Sequence, residues 1–244
     1  MPKQLFILVY LLVCATLYAQ QPFPDSSMSG NSTASGAIRA FHQSAGQQSQ
    51  LYNGRIHIAY PVNLIGSAYY LSNDPQSGAV EYDHILFSDV PLRYDEVRDK
   101  VVVQHFNVVS AFELVSERVS RFWLGQHAFI RLVQEPADTD HTPATGFYEV
   151  LCTGKVTLLA RRKKGVTDFI ESMEVKQRID LKESFFAKAG DVYYPVNTQR
   201  SLLAVLSDRK KEVQQYLKRS GPKFRKEPEN YLVRATTYYN QLIR

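Results

Sequence analysis

The chain has 244 residues, of which 44% are hydrophobic and 22% are charged, and its formal net charge is +5. These proportions are ordinary for a soluble globular protein, and the length suits one sizeable domain or two small ones. No apolar run approaches the roughly 20 residues of a membrane-spanning helix, which excludes a helical membrane protein.

Residues 1–19 have the pattern of a secretory signal peptide. Lys3 precedes an unbroken apolar run from Leu5 to Ala15, and Ala19 is a small residue where signal peptidase would cut. The run is too short to span a bilayer as a helix, so we expect the protein to be exported. Because the protein is expected to be exported, we do not expect it to bind nucleic acid. For a basic exported protein, lipid head groups or cell-wall polymers are the expected partners.

Two changes of pattern divide the remaining chain. Residues 20–50 are rich in Ser, Gly, Asn and Gln and predict a flexible leader, because they hold too little apolar surface to bury. Residues 51–196 alternate short β-patterned segments with turn residues, which is typical of an antiparallel β-meander, either an open sheet or barrel-like. Residues 197–244 predict C-terminal helices packed on the β domain. The expected fold class is therefore α+β.

Two local patterns predict a turn and a strand within residues 51–196. Asp83-His84 stands between two β-patterned segments and predicts a tight turn. The alternation over 55–60 predicts a strand with Ile56 and Ile58 on one face.

The helical pattern has clear boundaries. Leucines and other apolar residues recur at three-and-four spacing from Leu202 to Leu217, which predicts one helix that ends at Ser220-Gly221-Pro222. A second helix is expected to begin at Pro228, because proline is tolerated in the first turn.

The sequence contains no motif of a known catalytic site: G-x-S-x-G, H-E-x-x-H and paired C-x-x-C are all missing. Cys14 would leave with the signal peptide, and Cys152 would then stand alone without a disulfide partner. The apolar neighbours Val150 and Leu151 favour a buried Cys152 over a nucleophilic one.

One loop between predicted strands carries the candidate metal ligands Glu135, Asp138, Asp140 and His141. Closely spaced carboxylates and an imidazole could hold a divalent cation. The loop lacks the glycine-pinned spacing of a calcium loop, so we expect a solvated acidic loop, without a metal or a cofactor.

Two basic clusters are the candidate binding surface. The first is Arg161-Arg162-Lys163-Lys164, which is expected to end a strand in solvent, so that Arg162→Glu should leave stability nearly unchanged. The second includes the helical residues Arg209, Lys210, Lys211, Lys218 and Arg219. If the clusters share one face, they would attract anionic lipid or polysaccharide; the alternative is a solvated surface.

Several segments together resemble a family of uncharacterised exported proteins from bacteria of the Bacteroidetes phylum, across nearly the whole mature chain. They are Leu51–Arg55, Gly78–Asp83, Val90–Asp95, Ala144–Tyr148, Ser201–Leu206 and Asp208–Glu212. The resemblance implies a Gram-negative envelope, with the periplasm expected and the outer-membrane surface or the medium as alternatives. It implies no activity and no site.

Three hypotheses for function follow. The first, which we favour, is a non-enzymatic envelope protein that binds a partner protein or a surface polymer. The second is a periplasmic carrier of a lipid or another apolar ligand, which requires inward Tyr and Phe side chains that are not fully packed. The third is a hydrolase with a site assembled near Asp138–His141.

Overall fold

The computed structural model describes residues 50–61, 63–105, 110–134 and 143–243. The predicted signal peptide, 1–19, and all of the predicted leader, 20–50, except Gln50 lie outside these ranges. The described residues confirm the α+β class, because a large, mostly antiparallel open sheet is followed by a C-terminal helical segment.

Within the described residues, twelve strands form one sheet. The strands are β1 (Arg55–Ile56), β2 (Leu64–Ile65), β3 (Gln76–Tyr82), β4 (Ile85–Asp95), β5 (Lys100–Gln104), β6 (Ala111–Glu113), β7 (Val119–Leu124), β8 (His127–Leu132), β9 (Gly146–Cys152), β10 (Val156–Glu171), β11 (Glu174–Ala189) and β12 (Val192–Pro195). Neighbouring strands follow the order β1-β6-β5-β4-β3-β7-β8-β9-β10-β11-β12, and β2 pairs in parallel with β11.

The sheet consists of two meanders that diverge from β3. Strand β3 pairs with β4 on one side and with β7 on the other. The chain therefore runs outward through β4, β5 and β6, crosses to the other side of β3 through the 3₁₀ turn Ser116–Arg118, and runs outward again from β7 to β12. The predicted turn between β3 and β4 is confirmed, with Asp83 and His84 both at positive φ.

Strands β10 and β11 form a hairpin that is much longer than the sequence pattern predicts. Every residue of β10 pairs with one of β11, from Val156 opposite Ala189 to Glu171 opposite Glu174. The prediction that Arg161-Arg162-Lys163-Lys164 ends a strand is therefore wrong, because the ladder continues through all four residues. A two-residue turn at Ser172 and Met173, both at positive φ, closes the hairpin.

The prediction of an apolar face at β1 is also wrong. Ile56 and Ile58 are 64% and 74% exposed, whereas the intervening His57 is only 7% exposed. The polar side chain is buried because both ring nitrogens have partners: Nδ1 lies 2.9 Å from Glu113 Oε1, and Nε2 lies 2.7 Å from the Tyr69 hydroxyl.

The first of two buried clusters lies on strands β3 to β9 and is rich in aromatic rings. Tyr94 contacts Phe122, Phe129 and Phe147, and the rings of Phe122 and Phe129 stack with centroids 4.5 Å apart. The carrier hypothesis requires incompletely packed aromatic side chains, whereas these four are buried and in contact with one another.

The second cluster lies between β9–β12 and three helices, α1 (Gln199–Val205), α2 (Lys210–Ser220) and α3 (Pro228–Leu242). The start of α3 at Pro228 is as predicted. The single helix predicted from Leu202 to Leu217 is instead two helices, because a 3₁₀ turn at Ser207–Arg209 separates α1 from α2. This turn contains Ser207 and Asp208, and serine and aspartate favour turns because their side chains form hydrogen bonds with nearby backbone groups. Short 3₁₀ turns are frequent connectors between helices.

Asn240 of α3 fastens this helix to the start of β10. Its Oδ1 accepts the Val156 N–H at 3.0 Å, and its Nδ2 donates to the Val156 carbonyl at 2.8 Å. A side chain at Gly154 would collide with the Asn240 amide, so the glycine allows the close approach.

The helical cap should contribute strongly to stability through Leu206, which has no exposed surface. We expect Leu206→Ala to lower the free energy of unfolding by about 2–5 kcal/mol, through lost burial and a residual cavity. Leu242→Ala, at the exposed end of α3, is the matched control and should change it by less than about 0.5 kcal/mol. Urea unfolding measures both, and equal losses would show that Leu206 does not anchor the cap.

Candidate functional site

The register of β10 and β11 divides the first basic cluster between two faces of the hairpin. Arg161 is opposite Ser184 and Lys163 is opposite Lys182, whereas Arg162 is opposite Glu183. Directly opposed residues of an antiparallel pair point to the same face, and successive residues point to opposite faces. We call the face of Arg161 and Lys163 the outer face, and the face that the helices cover the inner face.

On the inner face, Arg162 forms a buried ion network. Its side chain is 13% exposed and contacts carboxylates of Glu149, Glu229 and Glu183, with Nε 3.2 Å from Glu183 Oε1. Burial opposes the positive charge, but the surrounding carboxylates outweigh burial and raise the pKa of the guanidinium. Glu229 lies in the first turn of α3, so the network joins the helical cap to the sheet.

Tyr70 and His127 extend this network. Nδ1 of His127 lies 2.5 Å from Glu149 Oε1 and 2.8 Å from the Tyr70 hydroxyl. Burial and the nearby Glu149 raise the pKa of Tyr70, so its hydroxyl stays protonated and donates to that carboxylate. The sequence did not predict the contact among Tyr70, His127 and Glu149, because these residues come from three distant segments of the chain. Since Glu149 is already neutralised by Arg162, the contacts are those of a stabilising network.

Lys164 is also occupied. Its Nζ lies 2.8 Å from the buried Glu96 carboxylate and donates to the Tyr69 carbonyl at 2.6 Å. Arg162 and Lys164, two of the predicted surface cations, therefore bind within the protein. Alternation along an extended strand is the physical reason, because it turns every second residue of the cluster inward.

The outer face carries a pocket of about 300 Å³. It is lined by Ala144, Tyr148, Arg161, Lys163, Lys182, Ser184 and Phe186. We call it the outer pocket. Its charged side chains are all basic, and its walls include two aromatic rings that meet edge to face with centroids 5.7 Å apart.

Arg161 is held rigidly at the wall of the outer pocket. Its guanidinium donates to the carbonyls of Ala144 and Thr145 at 2.9 and 3.1 Å and to the Tyr148 hydroxyl at 3.0 Å. The nearest carboxylate oxygen, Asp99 Oδ2, is 3.5 Å away. This ion pair with Asp99 offsets part of the charge of Arg161, and the hydrogen bonds hold its guanidinium in place.

Lys163 and Lys182 have no ion-pair partner in the part of the chain that the structure describes. They stand directly opposite each other across the two strands. Like charges at such positions repel each other and destabilise the sheet. An anion placed between the two ammonium groups would remove this repulsion, and the Ser184 hydroxyl would add a donor beside it.

The second basic cluster cannot share a face with the outer pocket. Its residues lie on α2 and the 3₁₀ turn before it, and the helices cover the inner face of the hairpin. Arg209 has a partner in Glu212 at 3.4 Å, and Lys210, Lys211, Lys218 and Arg219 are exposed. The two clusters are therefore separate surfaces, and the condition under which both would attract the same anionic lipid or polysaccharide is not met.

The candidate metal ligands Glu135, Asp138, Asp140 and His141 lie outside the described residues. Among residues that are described, no group of three or more His, Cys, Asp or Glu side chains is arranged to hold a metal ion.

No protein-family model matches this chain, and neither a curated protein nor a solved structure does. In the described ranges, no helix combines the length and the apolar character needed to cross a membrane.

Cys152 is half-buried beside the helical cap, and burial raises the pKa of its thiol. A raised pKa lowers the thiolate fraction at a given pH, and the thiolate is the reactive form. We therefore expect a soluble disulfide reagent to modify the native protein far more slowly than the urea-unfolded protein at the same mildly alkaline pH. Equal rates in the two states would contradict the burial of this side chain.

Adjacent residues on β10 should differ sharply in their contribution to stability. Arg162→Met leaves the buried Glu149 without its cation and should lower the free energy of unfolding by about 3–5 kcal/mol. This reverses the expectation that an Arg162 substitution is neutral.

The control for that substitution is Lys163→Met, one residue away on the exposed outer face, which should change the free energy of unfolding by at most about 0.5 kcal/mol. Chemical denaturation measures both variants. Similar effects at the two positions would contradict the division of the cluster between two faces.

Proposed function

We propose that this chain is an exported, non-enzymatic envelope protein that binds an acidic sugar unit of a surface polymer in the outer pocket. The observation that carries the proposal is the opposed pair Lys163 and Lys182, which has no carboxylate partner in the described residues and lines the outer pocket.

The charge of the outer pocket supports an anionic ligand. Directly opposed like charges destabilise a sheet, and a protein without an anion gains nothing from this arrangement. A carboxylate or phosphate between the lysines would accept charge-assisted hydrogen bonds, each stabilising by about 1.5–3 kcal/mol.

The shape and walls of the pocket support a sugar ring. Its volume of about 300 Å³ is at the lower end of the range of about 300–1,000 Å³ for ligand sites, which suits one or two rings. Phe186 supplies apolar ring surface next to the cations, and the fully buried Tyr148 packs against it from within the protein. A ligand with a flat apolar face and one acidic group matches this combination.

The location is supported by the sequence. The predicted signal peptide at 1–19 and the resemblance to exported proteins favour the envelope of a Gram-negative cell, and we propose the periplasm as the compartment. A phosphorylated lipid head group presents the same anionic chemistry as an acidic sugar, so the experiment includes both sources.

Calorimetric titration with an oligogalacturonate tests the proposal, and the neutral galactose oligomer of equal length is the control ligand. We expect the acidic oligomer to bind, with an affinity that falls as salt increases, and the neutral one to bind much more weakly. Equal binding of both oligomers, or no binding of the acidic one at low salt, would contradict the proposal. If the protein instead binds only anionic phospholipid vesicles, the ligand of the outer pocket is a lipid head group and not an acidic sugar.

Lysine variants locate the binding in the outer pocket. Lys163→Gln with Lys182→Gln should weaken binding of the acidic oligomer at least about tenfold, the equivalent of one lost charged hydrogen bond. The same double variant should melt no lower than the wild type, because it removes a repulsion. The matched control, Lys210→Gln with Lys211→Gln on α2, should bind normally; a loss there instead would place the site on the helices.

A further inference from the structure

The β10–β11 hairpin ends in an apolar tip that is exposed to solvent. Strand β9 pairs with β10 at Leu158–Ala160, so the hairpin projects well beyond β9. At its end Ile170 is 79% exposed, Met173 is 100% exposed and Val175 is 65% exposed. We call these three residues the hairpin tip. Three large apolar side chains gathered on a projecting element are typical of a surface that binds another molecule.

An apolar groove lies at the other end of β11. Its volume is about 460 Å³, and it is lined by Ala189, Tyr194, Pro195, Ser201, Ala204, Val205 and Ser207. We call it the α1 groove, because one wall is the helix α1. The groove is large enough to take several aliphatic side chains, and most of its lining is apolar.

One chain cannot insert its own hairpin tip into its own α1 groove. Val175 and Ala189 lie near opposite ends of the same continuous strand, β11, and are therefore roughly 45 Å apart. The strand pairs with β10 along its whole length, which keeps it extended. An occupant that carries this tip must come from a second copy.

The charges around the two surfaces are complementary. The segment 168–176 contains three carboxylates and one lysine: Asp168, Glu171, Glu174 and Lys176. The segment 199–212, which includes α1 and supplies one wall of the groove, has an excess of positive charge even though Arg209 pairs with Glu212. Its four cations and two carboxylates are Arg200, Asp208, Arg209, Lys210, Lys211 and Glu212. An acidic apolar tip therefore matches an apolar groove with a basic border, and the same charges disfavour an anionic membrane as the occupant.

We propose that the hairpin tip of one copy binds in the α1 groove of a second copy, so that the protein assembles head to tail. This proposal is independent of ligand binding in the outer pocket. The contact is heterologous, because different surfaces of the two copies meet, and each added copy presents a new free groove and a new free tip. The assembly therefore grows beyond the dimer, into an open chain or a closed ring. A single hairpin tip buries less area than the about 1,200 Å² of a stable interface, so the association is weak.

Sedimentation velocity over a concentration series up to about 1 mM tests the assembly at the affinity expected of such an interface. For the wild type, we expect species larger than dimers to increase with concentration. Met173→Asp should remain monomeric, and aspartate tolerates the positive φ of this position. Ala204→Glu, which places a carboxylate on the exposed wall of the groove, should remain monomeric as well.

The control is Ile85→Asp, which replaces an exposed apolar residue on β4 and should assemble like the wild type. Circular dichroism and thermal melting show whether each variant is folded. Binding of the acidic oligomer should be unchanged in all three variants, which separates a failure of this proposal from a failure of the outer pocket.

An equimolar mixture of Met173→Asp and Ala204→Glu distinguishes head-to-tail assembly from other modes. One variant retains a good groove and the other retains a good tip, so the mixture should form dimers and nothing larger. A wild type that stays monomeric, assembly of Met173→Asp alone, or a mixture that remains monomeric would each overturn the proposal. A wild type that stops at dimers would also overturn it, because tip-to-tip pairing or a closed exchange would then be the mode.

Discussion

The alternation of side chains along β10 is the constraint on which the rest of the structure depends. An extended strand sends successive residues to opposite faces, so four consecutive cations divide into two pairs with different surroundings. Arg162 and Lys164 are directed inward, where each neutralises a buried carboxylate. Arg161 and Lys163 are directed outward, where Lys163 has no carboxylate partner among the described residues. One basic run therefore supplies both the internal ion pairs and the candidate binding surface.

The inward pair also joins parts of the chain that are far apart in sequence. Arg162 connects β9 through Glu149 with the first turn of α3 through Glu229, and Lys164 connects β10 with the turn after β4 through Glu96. A buried carboxylate without its cation is costly, so these contacts fix the position of β10 in the sheet. The same contacts fix the backbone of the outer pocket, because Arg161 and Lys163 lie on β10 next to Arg162 and Lys164.

Much of the fold could be predicted from local chemistry. Asp83-His84 forms the expected turn, Pro228 begins a helix, and the change from β-pattern to helical spacing after residue 196 is observed. The errors have a common cause, which is that long-range pairing overrides local pattern. His57 is buried because Tyr69 and Glu113 meet it from distant segments, and the length of β10 depends on its pairing with β11. The site residues Lys182, Ser184 and Phe186 could not be predicted, since only the register places them beside the basic cluster.

Quantitative acetylation of lysines, read by mass spectrometry of the native protein, tests the division of the basic cluster most directly. Tandem fragmentation separates the adjacent residues Lys163 and Lys164 within one peptide. We expect Lys163 and Lys182 to be modified at the rate of solvent-exposed lysines, whereas Lys164, which is paired with Glu96, is modified much more slowly. Equal modification of Lys163 and Lys164 would contradict the two-faced strand, and with it the outer pocket as the candidate site.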